Sequence, residues 1–228
     1  MNTLQAARNQ VLEQIEHACQ QAGRKAEEVS LLAVSKTHPA EILAQMYATG
    51  QRSFGENYLQ EALDKIEELS DLEIEWHFIG HVQRNKTRHL AEKFAWVHGV
   101  DRLIIAERLS NQRTADQAPL NICIQVNIDA QDSKDGCQPA DVAELVAQIS
   151  RLENLKLRGL MVIPAPGHTQ AFSDASALFK QVKSQHVHPG DWDTLSMGMS
   201  GDMQQAIEAG STMVRVGTAL FGARDYSG

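Results

Sequence analysis

Eight short apolar runs, each followed by or linked through an amphipathic stretch, recur along the 228 residues. Runs dense in Val, Ile and Leu are the mark of parallel strands covered on both faces. The stretches between them carry apolar residues at helical spacing. The pattern predicts strands over 30–35, 52–55, 75–79, 95–100, 120–128, 155–163, 194–197 and 212–216. It predicts helices over 39–50, 57–69, 86–93, 103–111, 139–152, 169–186 and 202–209, with an extra N-terminal helix over 3–22. Pro39 and Pro139 stand in first turns, where a missing N–H costs little. Strand–helix units repeated eight times imply a parallel sheet with right-handed crossovers. At this length such a sheet closes into a single (β/α)₈ TIM barrel, whereas a doubly wound open sheet would usually have fewer strands. The expected fold class is therefore α/β, with one domain over residues 1–228 and no internal repeat or linker. The loops 129–138 and 163–167 read as open segments.

Charge and cysteine usage narrow the setting. The formal net charge is −8, which disfavours nucleic acid and anionic membrane as partners. Cys19, Cys123 and Cys137 form an odd set without a C-x-x-C, which points to a reducing, cytoplasmic compartment. Arg8, Glu13 and Glu16 fall where a signal peptide would need an apolar run. No stretch approaches the roughly 18 apolar residues of a membrane span.

In a barrel of this kind chemistry gathers at the C-terminal ends of the strands. The first strand ends on Lys36, after the apolar run LLAVS. A lysine there either extends its tip to solvent or serves as a desolvated, nucleophilic amine fit for imine formation. After strand seven, SMGMSG with Ser200 precedes a helix; after strand eight, VRVGT supplies Gly217 and Thr218. Glycine turns at this corner offer backbone N–H groups to a phosphate, although tight turns use glycine in any case. Arg215 lies inside the last strand, either in a buried ion pair or facing the ring nitrogen of a pyridine cofactor.

With these residues in view, the chain resembles the YggS/PROSC family of pyridoxal 5′-phosphate (PLP) homeostasis proteins. The resemblance rests on LLAVSKT (31–37), FGENYLQE (54–61), WHFIGHVQRNK (76–86), LRGLMVIP (157–164), LSMGMSGDM (195–203) and GSTMVRVGTALFGARDY (210–226). It implies a barrel like that of alanine racemase and a PLP imine on Lys36. It also implies phosphate held by Ser200, Gly217 and Thr218, and Arg215 at the ring nitrogen. Asn57 and His77 fall in matched motifs near the cofactor. The chain departs from the family at His38, where many members carry a second lysine, and at His81, where a small residue or proline is usual.

The resemblance implies a PLP-binding protein of intracellular PLP homeostasis without efficient turnover, handing PLP to PLP-dependent apo-enzymes. The alternative is a PLP-dependent racemase of weak activity. Racemisation needs an acid or base on each face of a carbanion. Lys36 serves one face, and of Tyr47, Tyr58 and Tyr226 only Tyr58 lies near a strand end. No second domain is expected to supply another tyrosine, so a monomer is expected. An arginine at the ring nitrogen also leaves a weak electron sink. A sugar-phosphate aldolase would place its lysine on a middle strand. The nine histidines lack the carboxylate or cysteine spacing of a metal site. The basic run 81–89 reads as a solvated helix start or a docking patch, and EALDKIEE (61–68) as an exposed helix face. Met197, Met199 and Met203 read as cofactor padding or core, and Cys137, in a polar loop, as a candidate reactive thiol.

Overall fold

The computed structural model describes residues 3–131 and 134–222. Tyr226 and two residues of the 129–138 loop therefore lie outside the described residues. Eight parallel strands pair in chain order and close: β1 Ser30–Val34, β2 Ser53–Glu56, β3 Glu75–Phe78, β4 Trp96–Val100, β5 Leu120–Val126, β6 Leu155–Val162, β7 Thr194–Ser196 and β8 Met213–Val216. Closure is made by β1 on β8, with Leu32 opposite Arg215. The helices are α1 Thr3–Gln21, α2 Ala40–Ala48, α3 Leu59–Glu68, α4 Thr87–Lys93, α5 Leu103–Gln112, α6 Val142–Ile149, α7 Gln170–Val182, α8 Met203–Glu208 and α9 Thr218–Phe221. The expected fold is the observed one, with element ends moved by at most four residues. The short α9 is absent from the sequence pattern, because four residues are too few to show a period.

Burial explains the two textures of the sequence. Leu, Ile and Val on the outer faces of the strands pack under the helices in one continuous core, with Phe54, Phe94 and Trp192 among its largest members. A second, smaller cluster of Leu32, Trp96, Cys123, Met161 and Met213 fills the inside of the barrel. α1 packs on α8 and α9, beneath the last two strands. Gly159 makes one approach possible that no other residue allows. Its φ is +154°, and a Cβ there would meet the Thr194 carbonyl oxygen at 1.8 Å, so β6 and β7 touch through a bare backbone.

Candidate functional site

Lys36 follows the end of β1 and lines a cleft of about 250 Å³ at the C-terminal mouth of the barrel. Asn57, Ser200, Arg215, Gly217 and Thr218 line the same cleft, with Val34, Ile79, Ile163, Met199 and Gly201 completing it. Six of the seven residues singled out in the sequence thus meet in one place. β1 and β8 are hydrogen-bonded neighbours, which sets Lys36 beside the Gly217–Thr218 turn. Gly217 is the N-cap of α9, and the loop before α8 is closed by Met199 N–H donating to Asp202 Oδ1 at 2.6 Å. Asn57 brings a buried Oδ1 that meets no hydrogen-bond donor among the described residues.

Arg215 is buried, and no carboxylate lies within ion-pair distance of it among the described residues. Its Nη1 donates to Ser196 Oγ at 2.8 Å and its Nη2 to the Val162 carbonyl at 2.9 Å. Burial pushes its pKa down to about 10, which still leaves a cation at neutral pH. Asp202 acts on this charge only from beyond ion-pair distance, and a buried guanidinium without a directly paired carboxylate is expensive, so the charge suits a ligand that accepts from its remaining N–H groups.

His77 is not among the described residues lining this cleft. Its ring stacks on Trp96 inside the barrel, its Nε2 lies 2.8 Å from Glu75 Oε1, and its Nδ1 lies 3.0 Å from His98 Nε2. Glu75 opens instead on a separate cleft of about 350 Å³ at the N-terminal mouth, with Trp96, Arg158 and Asp193. Arg158 there is already matched by Asp193 at 2.6 Å, and the cleft contains no lysine. His77 belongs to that polar interior because, next to last in β3, it still points into the barrel rather than out at the mouth.

Around the cleft, Met199 is 41% exposed on the rim, whereas Met197 and Met203 are core. His38 stacks on Phe221 with ring centroids 4.8 Å apart, and His81 pairs with Asp135 at 3.1 Å. Tyr58 is 56% exposed at the start of α3. Cys137 is buried, not a surface thiol: it forms an isolated bridge with Val126, and burial pushes its pKa up to about 12. The 61–68 segment is not wholly exposed either, since Ala62 and Lys65 are buried. Sequence reading also missed Ser196 as the partner of Arg215; its signal was an inward position two residues before a glycine turn.

The family model "Alanine racemase, N-terminal domain" matches residues 11–225. A pyridoxal phosphate homeostasis protein of Pseudomonas aeruginosa is 52% identical over 226 residues, covering 99% of this chain and 98% of the relative. The protein of that name from Escherichia coli K12 is 50% identical over 235 residues, covering 100% and 99%. Among solved structures, PipY of Synechococcus elongatus PCC7942, with PLP bound, superposes with a TM-score of 0.78 at 37% identity, covering 91% of this chain and 99% of that one. Alanine racemase of Corynebacterium glutamicum shares the fold, with a TM-score of 0.65 at 14% identity over 96% of this chain and 62% of that one.

Proposed function

This chain belongs to the family of the alanine racemase N-terminal domain and, within it, to the pyridoxal phosphate homeostasis proteins; from that premise we propose that it holds PLP as an imine on Lys36 and keeps it without efficient turnover. One observation carries the reading: an amine, a buried guanidinium without a carboxylate, and the two glycine turns after β7 and β8 line a single cleft. Each matches one part of the cofactor. The Lys36 amine suits the aldehyde, Arg215 suits a ring nitrogen that accepts, and Ser200, Gly217 and Thr218 suit the phosphate. Asn57 Oδ1, buried without a donor, is a further group that a ligand satisfies.

Bound PLP supplies an electrophilic carbon and an electron-withdrawing ring. The protein's own residues decide between retention and turnover. Arg215 stays charged at neutral pH, so it would donate to a ring nitrogen without giving up its proton, which would leave the ring a weak sink. Tyr58, the one tyrosine that the sequence sets near a strand end, is 56% exposed and is not among the described residues lining the cleft, which does not favour it as a second acid or base. Both features support retention over racemisation. The role carries with it a reducing, cytoplasmic setting, supported by three buried free thiols, a monomeric state, and PLP-dependent apo-enzymes as recipients.

The test is a visible spectrum of the protein with PLP, for wild type and Lys36→Ala, followed by an assay for amino-acid turnover. An imine band that vanishes in Lys36→Ala, without turnover, is the expected result. Rapid racemisation would overturn the retention reading. A wild type with no band would remove the cofactor assignment.

A further inference from the structure

A single buried ammonium holds the backbone on both sides of Lys36. Lys65, on α3, is 5% exposed, and all three of its protons are engaged. One goes to the Ser35 carbonyl at 3.0 Å, one to Glu56 Oε1 at 2.8 Å and one to Glu61 Oε1 at 2.5 Å. The two carboxylates pass the hold onward. Glu56 Oε1 accepts from Ser35 Oγ at 2.6 Å, and Glu61 Oε1 accepts from the Thr37 N–H at 2.6 Å. Ser35 is thus fixed at its carbonyl and its hydroxyl, Thr37 at its amide, and Lys36 lies between them.

The clamp answers a local need. Thr37 has φ +67°, a left-handed conformation that a β-branched residue adopts only when its surroundings impose it. That turn lets the chain leave β1 while Lys36 remains at the cleft. A buried ion pair serving only the core would end on side chains or helix ends. Both arms of this one end on backbone or side-chain atoms of residues 35 and 37.

We propose that Lys65, acting through Glu56 and Glu61, is a positioning residue that aims Lys36 at the aldehyde of its ligand. The proposal rests on the reading of Lys36 as the imine lysine. It separates two quantities that a general structural role would move together. Binding of the phosphate and ring depends on the β7 and β8 turns and on Arg215, to which none of the clamp's hydrogen bonds runs. Attack by the amine depends on where Lys36 is held, and small misplacements of a reacting group cost up to about a hundredfold in rate.

The experiment compares PLP with 4′-deoxypyridoxine 5′-phosphate, which has a methyl group in place of the aldehyde and forms no imine. Glu61→Ala removes the acceptor for the Thr37 N–H and leaves the Lys65–Glu56 pair intact at a partly exposed position, so the variant folds. Its imine band should appear at least about tenfold more slowly than in wild type, while the deoxy analogue binds within about twofold of wild type. Glu61→Gln, which keeps an oxygen acceptor, should recover most of the rate. Lys65→Met paired with Glu56→Gln, which leaves no charge buried alone, should slow the band as Glu61→Ala does. An unchanged rate in Glu61→Ala, or a parallel loss for both ligands, overturns the proposal. A wild type that forms no imine band overturns the reading of Lys36 itself, a different failure seen before any variant is made.

Discussion

His77 Nδ1 lies 3.0 Å from His98 Nε2, deep inside the barrel, and this contact fixes the tautomers of both rings. Glu75 is held below the ordinary carboxylate range, first by its bond with His77, and so stays ionised and accepts a hydrogen bond from His77 Nε2–H. His77 Nδ1 is then an acceptor, which assigns the His98 Nε2 proton to the shared bond. His98 Nδ1 remains as a buried lone pair that meets no donor among the described residues.

Both rings are held neutral. Burial lowers the pKa of His77 against the pull of Glu75, and burial lowers that of His98 well below the ordinary histidine value, with repulsion from His77 in its protonated form and from Arg215 adding to it. Near and below pH 6.5 the unfolded chain takes up protons at these positions that the folded chain refuses, so stability falls as pH falls from 7 towards 5. One histidine contributes up to about 1.4 kcal/mol per pH unit. Glu56, raised by burial against the pull of Lys65, works in the opposite sense, so the informative quantity is a difference between variants. Urea midpoints between pH 5 and 7 should decline less steeply in His98→Gln than in wild type. Equal slopes would show that His98 titrates alike in both states.

Arg215 sets function against stability. Its guanidinium costs several kcal/mol to desolvate, no carboxylate among the described residues lies within ion-pair distance, and Asp202 offsets the cost only from farther off. Arg215→Met removes that cost and leaves Ser196 Oγ and the Val162 carbonyl without a donor, a loss of about 1–3 kcal/mol. The larger effect wins. The ligand-free variant should be more stable by about 1–2 kcal/mol, which for a chain of this size raises Tm by about 2–8 °C, while its affinity for PLP falls at least about tenfold. Calorimetry of the ligand-free protein checks the first part and a PLP titration the second. A lower Tm would mean that the two hydrogen bonds outweigh the buried charge.

What the sequence disclosed and what it hid differ by the range of the interaction. The strands were legible because they are largely buried on both faces, so Leu120–Val126 is dense in Leu, Ile and Val and carries only Asn121 and Gln125 as polar residues. Lys36, Ser200, Gly217 and Thr218 were legible because strand ends and glycine turns are local signals. Lys65 was not: in EALDKIEE it reads as one more charge on a solvated helix, and its partners Glu56 and Ser35 lie 9 and 30 residues away. The motif around His77 points to the cofactor, yet its neighbours Glu75 and His98 draw it into the barrel. Cys137 has polar flanking residues, the pattern of an exposed loop, but its own backbone bridges to Val126.

That bridge makes a chemical prediction. Cys123 and Cys137 are both buried, and burial pushes each thiol up to about 12; Cys19 is raised too. Thiolate is the reactive form, so at pH 8 almost none is present. A disulfide reagent such as DTNB should label native protein slowly and all three cysteines at once in denaturant. Rapid labelling of one thiol in the native protein would show that the segment around Cys137 opens readily.

The loop that carries Ser200 depends on one glycine. Gly198 has φ +96°, and a Cβ there would lie 2.6 Å from the Cβ of Ala206 on α8. Its carbonyl also accepts the Arg215 N–H at 3.0 Å, which joins β8 to the turn. Gly198→Ala therefore brings backbone strain and a clash between loop and helix, together about 2–4 kcal/mol. Neither the loop nor α8 can move without shifting Ser200 or the neighbouring Arg215 strand. The expected outcome is a lower Tm together with weaker binding of PLP and of inorganic phosphate, measured by calorimetry and titration. Gly201 is the control, because a Cβ there meets nothing within 4 Å and its φ is not left-handed. Gly201→Ala should leave Tm and both affinities near wild type. If Gly198→Ala lowers Tm yet binds phosphate as well as wild type does, the β7 turn supports the fold without holding the anion.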